Sequence, residues 1–297
     1  MRRARLRLDQ HDTFYHCYNR VAGTAQDRPF TAIEKEQFIR ILRRVSQLYV
    51  IDVIAFQVMS NHYHLLLLAP KDEPSDEEIC RRFKQFHRGK RHLAPGSTSC
   101  KTWRARSRDI SWFMRHVQQL FTVWYNGSRP IKRRGKLWAD RFKNTLLESG
   151  AAVWSCWVYI ENNPVRAGLV EHADQYRFGS HGRWCQSGRP FSIDSLRRIL
   201  PMLADLFGVR RLTDVLGAMS KALHGSSEHR LLSVIDHRVK FWTEGWVIGS
   251  RLYIESVIHQ HRHRYYRIRP PQPVSTNDNG LLHAWNATAL VADAASP

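Results

Sequence analysis

Residues 50–69 constrain this 297-residue chain more tightly than any other segment. Val50 to Met59 has the β-branched and apolar content of a strand, Ser60-Asn61 carries tight-turn chemistry, and His62 to Ala69 (HYHLLLLA) reads as a second strand. Thr13 to Val21 adds another strand upstream. Thr31-Ala-Ile-Glu34 is a capping box, after which Ile33, Phe38, Ile41, Leu42, Val45 and Leu48 form an apolar stripe at helical spacing. Ser75-Asp-Glu-Glu78 is a second capping box, opening a helix towards Phe86. Residues 88–110 are basic and rich in turn formers, the pattern of a mobile loop. Asp109 to Asn126 returns to helix, Gly135 to Leu146 is extended, and Ser149 caps a helix that Pro164 stops near Asn162. The expected fold is α+β, an antiparallel β-sheet sandwiched by helices. It occupies residues 1–185. A mainly helical C-terminal extension follows over 186–269, with helices at Asp194–Leu206, Arg210–Leu223 and Leu231–Trp242. The stretch 270–297 has little pattern and is expected to be disordered.

Charge narrows the class of partner. The chain holds 46 Lys or Arg against 26 Asp or Glu, a formal +20, which calls for a polyanion. Arg81 to Lys143 carries 18 of those bases against only Asp109 and Asp140. Aromatic residues are interleaved there, among them Phe83, Phe86, Trp103, Trp112, Trp124, Tyr125 and Trp138. Cations neutralise phosphates while aromatic faces stack unpaired bases, a combination suited to single-stranded or hairpin nucleic acid. The plainer alternative is a solvated basic face over an aromatic core. Arg133, Arg134 and Lys136 are the densest candidates for phosphate contact, followed by Arg141 and Lys143. Val50 to Ala69, the best candidate for a membrane span, is broken by Asp52, Ser60, Asn61, His62 and His64. Met1 to Arg7 is a basic opening with no apolar core after it, expected to be an arm on a cytoplasmic protein. Five cysteines without Cys-x-x-Cys spacing indicate neither a disulfide framework nor a zinc ribbon.

Two segments carry candidate chemistry. On a strand, His62 and His64 project from one face while Tyr63, Leu65 and Leu67 point the other way. Two neutral imidazoles so placed can converge on a divalent cation, or they can be ordinary histidines satisfied at a hairpin. In Trp157-Val-Tyr159-Ile-Glu-Asn-Asn163-Pro164-Val-Arg-Ala-Gly168, Tyr159 and Asn163 are four apart and share a helix face. A phenol there can serve as a covalent nucleophile, or simply pack beside a helix terminator.

Taken together, the Asn-His-Tyr-His string, the Trp138-Ala-Asp-Arg141-Phe-Lys143 stretch and Tyr-Ile-x-Asn-Asn-Pro-Val-Arg-Ala-Gly-Leu-Val resemble the single-tyrosine HUH transposases, and among them the REP-associated tyrosine transposases. The resemblance spans roughly residues 10–180, and Phe241 to Ser250 is similar to a segment following the catalytic domain in longer relatives. It implies a ferredoxin- or RRM-like HUH endonuclease fold. His62 and His64 would hold Mg²⁺ or Mn²⁺, with Asn163 assisting. Tyr159 would attack a DNA phosphodiester to leave a 5′-phosphotyrosine and a free 3′-hydroxyl. The implied activity is nicking and rejoining of single-stranded or hairpin DNA at palindromic repeats, by a monomer or homodimer in the bacterial cytoplasm, associated with the nucleoid. A non-catalytic repeat-binding regulator on the same scaffold is the alternative.

Overall fold

Thr13–Arg20 (β1) lies between two antiparallel neighbours, His62–Ala69 (β3) and Lys143–Leu147 (β4), and organises the molecule around itself. The computed structural model describes residues 8, 11–24, 27–129, 132–224, 242, 246–265, 274–275 and 283–286. Asp52–Val58 (β2) completes the expected hairpin against β3, its register shifting between Val53 and Ala55. Trp246–Gly249 (β5) joins β4 in parallel, so the sheet is mixed rather than wholly antiparallel. Val274–Ser275 (β6) and His283–Asn286 (β7) extend it to the order β2-β3-β1-β4-β5-β7-β6. Those last two strands fall inside the stretch expected to be disordered. Backbone bonds to a neighbouring strand hold these six residues, and the rest of 270–297 lies outside the described residues.

Strand alternation sends residues to two cores. Tyr15, Cys17, Tyr63, Leu65 and Leu67 face Ala32–Ser46 (α1) and Ile110–Gly127 (α4). Phe14, Leu66, Leu68 and Leu147 face Ala151–Arg166 (α5), with Ile193–Phe207 (α7) and Leu212–His224 (α8) contributing to the same core. Layers of helix on each face of the sheet follow from this two-sided burial.

Local chemistry explains most boundaries. Thr31 caps α1 with the full reciprocal box to Glu34, though Ile33, placed in the apolar stripe by spacing, is 70% exposed. Ser75 caps Asp76–Phe86 (α2), but Glu78 turns its carboxylate to Arg81 and Arg82 instead of back to the cap. The region expected to be a loop at 88–110 contains a helix, Thr98–Ser107 (α3). Ser97 caps it and Arg104 ties it to Asp76, so tertiary anchoring replaces the missing apolar stripe. Helix α5 starts at a Gly150 cap rather than at Ser149, and runs through Pro164 to Arg166. Proline has no N–H for the Ile160 carbonyl. The Asn163 side chain donates to that oxygen at 3.3 Å and to the Tyr159 carbonyl at 2.8 Å, which sustains the turn.

Ser180–Ser187 (α6) follows, and Arg251–Tyr265 (α9) packs behind β5. The expected arm at Met1–Arg7 and helix body at 231–241 lie outside the described residues. No helix among the described residues is long and apolar enough to cross a membrane.

Candidate active site

Register aligns one row of side chains across four strands. His64 on β3 is opposite Gln57 on β2 and Tyr18 on β1, and Tyr18 is opposite Lys143 on β4. Directly opposed residues share a face, and for this row it is the face covered by α5. His62 and His16 are two residues from the row on the same side. The imidazoles of His62 and His64 stand with ring centroids 5.2 Å apart, and Tyr159 on α5 comes down edge-on to His64 at 5.7 Å. The sheet and the helix thus bring together the three residues that sequence spacing and resemblance single out.

Hydrogen bonds fix where the protons sit. The Nδ1 of His16 lies 2.6 Å from the carbonyl oxygen of Trp242, which can only accept, so that nitrogen carries the proton. The other nitrogen of His16 lies 2.8 Å from Nδ1 of His64, with the rings near-coplanar and edge to edge. Both rings are buried, and burial holds His16 down at about 4 and His64 well below the ordinary imidazole range. With both neutral, His64 must donate from Nδ1 and keep its lone pair on Nε2. His62 reaches the same state differently: its Nδ1 is 2.7 Å from the amide oxygen of Asn61, an acceptor, leaving Nε2 unprotonated. Burial, and then the nearby charge of Arg28, bring His62 to about 4.

Two neutral imidazoles with free Nε2 lone pairs fit a divalent metal ion, and hydrogen bonds at the far nitrogens are the usual means of orienting such ligands. Among the described residues no group of three or more His, Cys, Asp or Glu is placed to hold one. Further donors would be oxygens. Asn163 commits its amide nitrogen to helix carbonyls, which leaves its side-chain oxygen as an acceptor next to Tyr159. Gln57, 1% exposed, has neither amide atom hydrogen-bonded. Its oxygen fits only because residue 179 is glycine; a Cβ there would lie 1.9 Å away.

Tyr159 is 4% exposed, wedged between His64, His16 and the ring of Trp242, which stacks on it at 5.3 Å. Burial pushes its phenol up strongly, with the Arg166 guanidinium, 5.3 Å from the ring, opposing that shift. Arg166 and Arg28 are exposed at the site and supply positive charge there. Neither was singled out from sequence, and nor was His16. A histidine within TFYHCYNR is indistinguishable from strand packing until the β1–β3 register is known.

The remaining candidates divide. Lys143 and Arg141 are exposed, Lys143 on the site's own row. Arg133, Arg134 and Lys136 are exposed on the loop after α4, where Arg133 donates to the Lys136 carbonyl and lies 5.8 Å from the ring of Tyr125. Tyr125 itself is buried, so stacking on a base is not open to it.

No protein-family model matches the chain, and no curated protein matches it. Among solved structures it is similar to a REP-associated tyrosine transposase bound to a REP hairpin, at 16% identity and a TM-score of 0.42, covering 64% of this chain and 90% of that one.

Proposed function

We propose that this chain nicks and rejoins single-stranded or hairpin DNA through a phosphotyrosine, as a metal-dependent tyrosine transposase of the REP-associated kind. The observation that carries this reading is the convergence of His62, His64 and Tyr159 on one face of the sheet, with Tyr159 edge-on to His64 at 5.7 Å. Packing needs none of the three to be polar, and a nicking site needs all of them.

His62 and His64 would hold Mg²⁺ or Mn²⁺ through Nε2, with the Asn163 oxygen completing the protein's share. A bound ion polarises the scissile phosphate and stabilises the departing oxygen. Two imidazole nitrogens favour Mn²⁺ over the harder, oxygen-seeking Mg²⁺. Arg28, Arg166 and Lys143 draw the phosphate in. The Tyr159 oxygen bonds to phosphorus as the bond from phosphorus to the 3′ oxygen breaks, and the phenolic proton ends on that oxygen. The ester energy is kept in the phosphotyrosine, so a 3′-hydroxyl can reverse the step and join strands without a nucleotide cofactor.

The test is an SDS-resistant adduct formed with single-stranded DNA and Mn²⁺, mapped by peptide analysis. A 5′-phosphate on the peptide containing Tyr159 is expected, and none with Tyr159→Phe. An adduct on another tyrosine overturns the assignment. One observation favours the second reading, a non-catalytic DNA-binding regulator: Tyr159 is buried beneath Trp242 and its phenol is held protonated. That reading expects hairpin binding with no adduct under any metal.

A further inference from the structure

Helices α2 and α3 meet through two sulfurs. Cys80 and Cys100 are 20 residues apart in the chain, and their Sγ atoms lie 3.8 Å from one another. Cys80 is half-buried and Cys100 is fully buried. Three further cysteines are placed differently. Cys17 and Cys156 belong to the two cores on opposite faces of the sheet, where a thiol packs as a small apolar group. Cys185 is exposed, with Nε2 of His181 at 3.6 Å from its sulfur. Cys80 and Cys100 belong to neither core. Closing 3.8 Å to the ~2.05 Å of an S–S bond asks each sulfur to move by about 0.9 Å, which a small χ1 rotation supplies.

What else holds α3 to α2 is thin. The Gly96 amide and the Arg104 guanidinium both donate to the Asp76 carboxylate, at 2.6 and 3.0 Å, and Trp103 meets Phe83 edge-on at 5.5 Å. Of the residues in α3, Cys100 and Ser107 alone are buried. Cys80 stands one turn along α2 from Asp76, so the sulfurs and the Asp76 contacts share one side of that helix. A segment with so little buried apolar surface opens locally at low free energy. A bridge at Cys100 would close the loop from residue 80 to residue 100 and remove much of the chain freedom that opening gains. In a reducing compartment such bridges are transient and serve redox sensing rather than architecture.

We propose that Cys80 and Cys100 form an oxidisable dithiol, which a hydroperoxide converts to a disulfide that clamps α3 onto α2. Cys80, the accessible sulfur, attacks a peroxide oxygen as its thiolate and becomes a sulfenic acid. The O–O bond breaks and, with hydrogen peroxide, the departing oxygen leaves as water. The Cys100 sulfur then bonds to that of Cys80 and expels its hydroxyl as a second water. The two sulfurs give up one electron each, the peroxide takes both, and the two thiol protons end in the two waters. Burial, and then the Cys80 thiol beside it, push Cys100 up to about 11, so it stays a thiol and is spared direct attack. Lys101, Arg104 and Arg106 ride on α3, so the clamp fixes three cations of the basic stretch. The inference stands apart from the nicking reading.

The experiment uses the full chain, fully reduced and then treated with a small excess of hydrogen peroxide. Trypsin digestion without reductant should yield the peptide Asp72–Arg81 joined to His92–Lys101, and dithiothreitol should separate them. Hydrogen exchange is then measured on the reduced and the oxidised wild type. The bridge should slow exchange of the α3 amides by about 10- to 100-fold and leave β1 unchanged. Cys100→Ser should leave Cys80 as a sulfenic acid that dimedone captures, and Cys80→Ser should leave Cys100 unlabelled at the same dose. Bridges that involve Cys185 or join two chains in place of this one, sulfinic acid at Cys80 without a bridge, or a Cys80–Cys100 bridge that leaves α3 exchange unchanged each overturn the proposal. Mapping and exchange need no variant, so a variant that fails to fold leaves both decisive. A chain that forms this bridge and never nicks DNA removes the nicking reading and leaves this inference standing.

Discussion

His16 Nε2 and His64 Nδ1 are 2.8 Å apart, and only one of them can hold the proton between them. Because Nδ1 of His16 donates to the Trp242 carbonyl, the proton shared on its other side belongs to His64. His16 is thus a positioning residue: both its ring nitrogens are committed, to Trp242 and to His64, and it decides which nitrogen of His64 would face a metal ion. His16→Leu should weaken Mn²⁺ binding by about 10- to 100-fold in calorimetric titration. His16→Gln should restore most of the loss, since its amide can donate to Trp242 and accept from His64. Equal binding by the Leu variant would show that the tautomer is set elsewhere.

His62→Ala and His64→Ala should each abolish nicking while leaving DNA affinity within a few-fold of wild type. The affinity should come from exposed cations, none of which either substitution removes. Gel-shift and nicking assays on the same preparations separate the two, and full nicking by either variant at matched Mn²⁺ would remove the metal assignment.

Replacing Arg133, Arg134 and Lys136 together by Ala should lower affinity and reduce the dependence of log K on log salt by about 0.7 per lost contact on single strands. All three are exposed, so stability should be unaffected. A salt slope equal to that of wild type would mean that this loop faces away from DNA.

His181 gives a prediction in pH. Burial holds it at about 4 against an ordinary 6.5, with Asp174 opposing the shift. The unfolded chain therefore binds a proton that the folded chain refuses, and stability falls as pH drops from 6.5 towards 4. At pH 5 the loss from this one ring is on the order of 2 kcal/mol. His181→Gln should lose correspondingly less stability than wild type between pH 7 and pH 5 in urea denaturation. Parallel curves for the two proteins would contradict it.

Much of the site was legible because strand alternation separates His62 and His64 from Tyr63 with no knowledge of the fold, and the structure places Tyr63 in the opposite core, stacked on Phe38. What was not legible depends on partners distant in the chain. His16 gains its role from a strand 48 residues away and a carbonyl 226 residues away. Helix α3 is held by a cap and by Arg104 on Asp76 rather than by an apolar stripe, so periodicity reads it as loop. Pro164 stops a helix by the local rule and does not stop this one, because the side chain preceding it substitutes for the missing donor.

The parallel pairing of β4 with β5 bears on how this protein can be divided. Leu146 and Leu147 pair with Val247 and Ile248, and the Trp242 carbonyl is bound by both His16 and Thr145. A fragment ending at residue 185 would retain every side chain of the proposed nicking centre. It would also bare the outer edge of β4, a row of unsatisfied amides and carbonyls that invites strands from other copies. The His16 ring would lose the acceptor that orients it. Trp242 and Trp246–Gly249 therefore supply the first half with a strand and a hydrogen bond, and cutting the gene at the apparent domain boundary would yield a sticky, misprotonated sheet.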